Sequence, residues 1–293
     1  MDQAEGLRNI IKAKNQKEHH PARVITITSG KGGVGKSNLA VNLAVQLRKK
    51  GKKVIIFDAD FGLANVEVMF GSIPKYNLSD LIYRDKTMEE IITKGPMGVE
   101  FISGGNAVAG LNNLTKEQIT YLVNNLSQLD YLADIILIDT GAGISDAVME
   151  FVLASPEVLL VSTPEPSSLT DSYSLLKSLY HSPKFSGNKA KVRVIANKVH
   201  SREDGLEVFH KLDTVVHQFL SGSIEYLGMI PADLALEKAI REQKPISMKN
   251  PNARSARAFE LLASKLLDEN VSEEIKIRRG FSGIFADLIY SRS

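Results

Sequence analysis

The sequence predicts an α/β protein built on a doubly wound, mostly parallel sheet with helices on both faces. Two observations carry this. Apolar runs rich in Val, Ile and Leu recur along the 293 residues. Most are continuous rather than alternating, as expected of parallel strands covered on both sides. Between them lie longer stretches of helical periodicity, and such alternation calls for crossover connections.

In chain order, strands are predicted at Val24–Thr28, Val54–Asp58, Val99–Ser103, Ile135–Asp139, Val158–Ser162, Val192–Asn197 and Tyr226–Ile230. Helices are predicted at Ser37–Lys50, Lys116–Leu132, Ser167–His181, Gly205–Leu220, Asp233–Gln243 and Ala253–Leu267. In a sheet of this kind ligands gather at the carboxyl ends of the strands. Residues 1–21 are polar and 271–293 follow the last helix. The expected division is therefore an N-terminal segment (1–21), one domain (22–270) and a C-terminal element (271–293).

Hydrophobic residues make up 43% of the chain and charged ones 24%, which suits a protein with a real core. A net charge of +2 provides no broad field for nucleic acid, which is not an expected partner. With no cysteine, disulfides, thiolate zinc sites and cysteine-ligated iron–sulfur clusters are excluded. No apolar run is long enough to span a bilayer, and the N-terminus lacks an apolar signal. The expected location is the cytoplasm, with attachment to a membrane surface at most.

The richest stretch is Gly30-Lys31-Gly32-Gly33-Val34-Gly35-Lys36-Ser37, followed by Asn38. It lies between the first strand and the first helix, the context a phosphate-binding loop needs. Its glycines let successive N–H groups turn inward around a phosphate chain, and the helix N-terminus adds a favourable dipole. Lys36 is expected to reach the β- and γ-phosphates of a nucleotide, and Ser37 to take Mg²⁺. Lys31 is a second lysine that such a loop does not require.

Two more strands end in carboxylates. Asp58-Ala59-Asp60 closes the second strand, and paired carboxylates beside a phosphate loop can organise Mg²⁺ through water and position an attacking water. Asp139 ends Ile135-Ile136-Leu137-Ile138 in the Walker B manner, holding Mg²⁺ through water. Thr140-Gly141-Ala142-Gly143 follows as a candidate switch segment. No Glu follows Asp139, so the water-positioning role is assigned to Asp60. Asn197 offers an amide to an adenine edge or caps a helix. Pro231 can wall the base, and Asp233 either joins it or caps the next helix.

These motifs resemble the deviant Walker A ATPases of the MinD/ParA group. The octapeptide Gly30–Ser37 is specific to that class, and Asp58-Ala59-Asp60-Phe61-Gly62-Leu63-Ala64-Asn65 narrows the likeness to its MinD-like branch, over residues 23–267. The resemblance implies a MinD-like P-loop fold, ATP/ADP and Mg²⁺ as ligands, slow regulatory hydrolysis and an ATP-sandwich homodimer. In it Lys31 crosses to the partner's nucleotide. Near the N-terminus, Asp2, Gln3, Gly6, Leu7 and Arg8 fall within a peptide similar to the signature of FlhG (FleN, YlxH) flagellar-number ATPases. That likeness implies stimulation of the GTPase FlhF and contact with the flagellar switch complex. The alternatives are a MinD-type division-site regulator and a ParA-type DNA-segregation ATPase.

Phe281, Ile284, Phe285, Leu288 and Ile289 fall on one helical face, with Lys276, Arg278 and Arg279 before them and Arg292 after. An apolar face with basic flanks suits an interfacial helix on anionic lipid. Gly280 and Gly283 each weaken that helix by about 1 kcal/mol, so it gains from a surface to form on. The expectation is ATP-dependent attachment to the inner face of the cell membrane, with the tail sheltered in a groove when unattached.

Overall fold

The computed structural model describes residues 21–60, 65–105, 116–185, 190–268 and 281. The N-terminal positions Asp2, Gln3, Gly6, Leu7 and Arg8 lie outside the described residues, as do Phe61–Ala64 and the tail positions Ile284, Phe285, Leu288 and Ile289.

The first half runs β1 (Arg23–Thr28), α1 (Lys36–Lys49), β2 (Val54–Ala59), α2 (Asn65–Phe70), α3 (Leu78–Tyr83), α4 (Met88–Ile91), β3 (Thr93–Lys94) and β4 (Glu100–Ser103). It continues through α5 (Lys116–Leu126), α6 (Leu129–Leu132), β5 (Ile135–Thr140), α7 (Asp146–Ala154) and β6 (Glu157–Ser162). The remainder is α8 (Pro166–His181), β7 (Lys191–Val199), α9 (Arg202–Phe219), β8 (Glu225–Pro231), α10 (Leu234–Arg241), α11 (Ile246–Lys249) and α12 (Arg254–Asp268). The described strands form one sheet in the order β3-β4-β2-β5-β1-β6-β7-β8. Its pairs are parallel except β3 with β4.

The continuous apolar runs follow from burial on both faces. In β5, Ile135 and Leu137 join the core under α1 and α12, while Ile136 and Ile138 join the core on the opposite face. A two-residue side-chain period makes this split unavoidable, so a polar residue mid-strand needs a buried partner, as Thr26 of β1 has in the Ser155 hydroxyl. Polar residues concentrate at the strand ends. At the amino ends, Glu157 on β6 receives Arg23 of β1 in a bidentate pair (2.6 and 2.7 Å) and Arg193 of β7 at 3.3 Å. Arg193 also meets Glu225 of β8. This mutually neutralised network holds four strands together away from the motifs at the other end.

The predicted helix Lys116–Leu132 is two helices. The Ser127 hydroxyl donates to the Asn124 carbonyl (2.6 Å), and Gln128 N–H bonds Asn125 rather than Asn124. A serine that competes for backbone acceptors breaks the ladder there. The predicted Asp233–Gln243 helix begins one residue later, because Asp233 is its N-cap.

The helical pattern of the tail assigns Phe281 to the lipid-facing stripe. It is buried against Phe57 of β2, with ring centroids 5.0 Å apart, and its N–H donates to Asp130 Oδ1 at 2.6 Å.

Candidate functional site

The loop after β1 takes its shape from glycine. Gly33 (φ +75°) and Gly35 (φ +99°) hold left-handed conformations that other residues resist. Gly30 is excluded from change for a second reason: a Cβ there would lie 2.1 Å from the Asp171 backbone of α8. The loop is therefore pressed against α8 at one end and opens into α1 at the other. The N-cap of α1 is Gly35, whose lack of a side-chain cap leaves the first amides of α1 without an intrachain acceptor from that position.

The carboxylates converge beside it because of strand register. Asp58 on β2 is the direct partner of Asp139 on β5, and Ile27 of β1 pairs Asp139 on the other side. Burial, reinforced by Asp139, pushes the Asp58 carboxyl up to about 8, despite N–H donors from Val66 and Asp60. Burial likewise lifts Asp139 to about 7, opposed by the Ser37 hydroxyl and the Lys36 ammonium. Lys36 is itself buried, which lowers its pKa, while Asp139 and Asp60 pull it back up. Two adjacent buried carboxylates whose ionised forms the protein alone leaves costly would gain from an additional cation beside them.

The residues fit Mg²⁺. Neither oxygen of buried Asp139 accepts a hydrogen bond of ordinary geometry from the protein. Among the described residues no group of three or more carboxylate or histidine ligands forms a cage, in keeping with an ion that takes only one or two protein ligands and completes its shell with phosphate and water. The Ser37 hydroxyl would hold it directly, and Asp58 and Asp139 through water. When bound, the ion neutralises phosphate charge.

Asp60 closes the turn after β2, between Asn65 and Gly141. Its Oδ2 accepts the Asn65 amide at 2.7 Å, and its Oδ1 would lie 3.2 Å from a Cβ placed on Gly141. Partial burial raises its pKa, against the pull of Lys36 and Asn65. A carboxylate made more basic and fixed in direction by an amide can orient a water and take its proton. The segment Thr140–Gly143 meets the start of the phosphate loop, since Gly143 N–H donates to the Ser29 carbonyl (2.9 Å).

Lys31 is brought to the mouth of the site but not into it. Its ammonium pairs with Glu165 Oε2 (2.9 Å) and the Ser167 hydroxyl (2.6 Å) at the start of α8. The lysine holds the Glu165 carboxyl below its usual range. Both side chains are substantially exposed, 34% and 57%, so the contact is a weak one that water can replace.

Asn38 is spent inside the fold, where its side-chain oxygen accepts from Asn42 Nδ2 (2.7 Å). Asn197 is at the site, but its Nδ2 donates to the Val34 carbonyl (2.7 Å) and its Oδ1 accepts Lys198 N–H (2.8 Å). In this structure it therefore holds the loop. Pro231 ends the neighbouring strand, with Asn197 opposite Ile230. Asp233 resolves as the helix cap: Oδ1 accepts Ala235 N–H and Oδ2 takes both donors of Ser255. Burial pushes that carboxyl up, yet the Ser255 and Ala235 donors outweigh it and leave the pKa lowered. Sequence reasoning missed Glu165, Ser167 and Lys198. The one local signal was that Lys198 directly follows a polar residue closing a strand.

A glycine loop between a central strand and an open helix N-terminus, with a buried lysine and flanking strand-end aspartates, defines a P-loop NTPase. The comparisons place it more narrowly: the ParA family model, described as NUBPL iron-transfer P-loop NTPase, matches residues 20–267, and the chain belongs to that family. It is 38% identical over 247 residues to antiactivator FleN of Pseudomonas aeruginosa, covering 84% of this chain and 87% of that protein. It is 34% identical to the flagellum site-determining protein YlxH of Helicobacter pylori, across 98% of both chains. In structure it is similar to the septum site-determining protein MinD of Pyrococcus horikoshii, solved as a complex with Mg-ADP (TM-score 0.66, 25% identity, 86% of this chain and 98% of that one). ATPase chemistry and a nucleotide with Mg²⁺ are thus family properties. With no cysteine, this chain lacks the thiolates that an iron cargo would ask for.

Proposed function

We propose that this protein is an ATP-driven switch that regulates the number and placement of flagella. ATP joins two copies into a homodimer, the dimer binds anionic lipid at the inner face of the cell membrane, and slow hydrolysis returns it to monomers. One observation carries the dimer: Lys36 already fills the cationic place inside the phosphate cradle, while Lys31 waits outside it on an exposed, weak contact. A lysine so placed is free to meet phosphates held by a second copy, where it would neutralise charge developing during hydrolysis.

The flagellar reading is supported by the two relatives whose names are an antiactivator and a flagellum site-determining protein. Under it, the N-terminal segment containing Asp2, Gln3, Gly6, Leu7 and Arg8 stimulates a FlhF GTPase, and flagellar switch-complex proteins are further partners. Burial of Phe281 against Phe57 supports a sheltered state from which the tail is drawn onto lipid. Two tails on one dimer then gain about 10²–10⁴-fold over one through avidity. In co-sedimentation with anionic vesicles, the parent protein should pellet with ATP and stay soluble with ADP. An Ile284→Glu/Phe285→Glu variant should stay soluble with either; if it pelleted as the parent does, the membrane reading would be sunk.

A further inference from the structure

We propose that Lys198 is a positioning residue of the nucleotide site, its ammonium holding the phosphate loop in the shape that binds ATP and ADP. This rests on the reading of Gly30–Ser37 as that site. The pairing of β7 with β8 slips here: Asn197 lies opposite Ile230 and Val199 opposite Pro231, which leaves Lys198 as an extra residue. It has φ +57°, in the left-handed region. A left-handed residue at a bulge is normally glycine, and bulges of this kind re-aim a side chain. A lysine there carries backbone strain, and the reach of its side chain accounts for it.

The use is visible. Lys198 Nζ donates to the Gly33 carbonyl at 2.9 Å, and Asn197 Nδ2 donates to the next carbonyl, Val34, at 2.7 Å. Consecutive residues of β7 thus hold consecutive carbonyls of the loop. In a trans peptide the C=O and N–H point in opposite directions. Fixing the Gly33 and Val34 carbonyls toward β7 therefore turns the Val34 and Gly35 N–H groups to the other side, where they join the phosphate nest. Asn197 is buried and its Nδ2 would lie 2.4 Å from a Cβ on Gly35, so its half of the clamp is set by packing. Lys198 is exposed, and its half is set by charge.

The test compares the parent with Lys198→Met, Lys198→Gly and Lys198→Arg by fluorescence titration of ADP and of ATP. The melting temperature of each nucleotide-free protein is measured alongside. Loss of one charged, solvent-accessible hydrogen bond should weaken both nucleotides about five- to thirtyfold in the Met and Gly variants. The nucleotide-free Gly variant should melt no lower than the parent, because glycine adopts the positive φ without strain. Arg should restore most of the affinity. Met or Gly variants that bind both nucleotides within about twofold of the parent would overturn the proposal and leave Lys198 a turn residue. A parent that binds neither nucleotide would instead overturn the site on which the proposal rests.

Discussion

Replacing Asp60 by alanine should leave ATP binding within about threefold of the parent and slow hydrolysis by about 10²–10⁴-fold, the usual worth of a positioned general base. The separation follows from geometry. Asp60 accepts the Asn65 amide and faces Gly141, and what links it to the loop that cradles the phosphates is its charge interaction with Lys36. Its removal also takes a negative charge away from Lys36, which favours rather than opposes a bound polyphosphate. Single-turnover hydrolysis, started by mixing excess protein with ATP, isolates the chemical step from product release. An Asp60→Ala protein that hydrolysed ATP at the parent's rate would move the water-positioning role to another residue.

Replacing Lys36 by glutamine should cost nucleotide affinity instead. The lysine is buried beside Asp139 and Asp60, so its charge is the protein's own offset to the carboxylates and incoming phosphates. Removing one member of a buried charge group costs about 3–5 kcal/mol, or roughly 10²–10⁴-fold if it falls on ADP affinity. Titration calorimetry with Mg-ADP reads this without turnover. Glutamine nearly matches the side chain in length, so circular dichroism should show an unchanged fold. Affinity within a few fold of the parent would mean that backbone amides carry the phosphates almost unaided.

The parts of the molecule legible in its sequence are those whose cause is local. The seven long strands are runs of apolar residues because both sheet faces are covered, and that leaves a mark in any window of five. β3, two residues paired antiparallel at the sheet edge, leaves none. The helices α2, α3 and α4 are too short for periodicity to show, and α3 and α4 are held instead by reciprocal capping at Asn77/Asp80 and Thr87/Glu90. The phosphate loop was legible because its eight residues are contiguous. Its supports were not: Glu165 reaches Lys31 across 134 residues, and Lys198 reaches Gly33 across 165. Nor could spacing reveal that Asp58 and Asp139 face each other, since that depends on the register of β2 against β5. Asp233 shows the reverse: of the two roles its position left open, its hydrogen bonds fill the local one, the helix cap.

If Lys31 makes ATP a ligand that joins two copies, the mass of the protein in solution, read by light scattering, must depend on both. Asp60→Ala protein, used to prevent turnover, should be monomeric with Mg-ADP and dimeric with Mg-ATP. Asp60→Ala/Lys31→Ala should bind ATP and remain monomeric. If the double variant dimerised with ATP as the single one does, Lys31 would not be the residue that couples nucleotide to assembly.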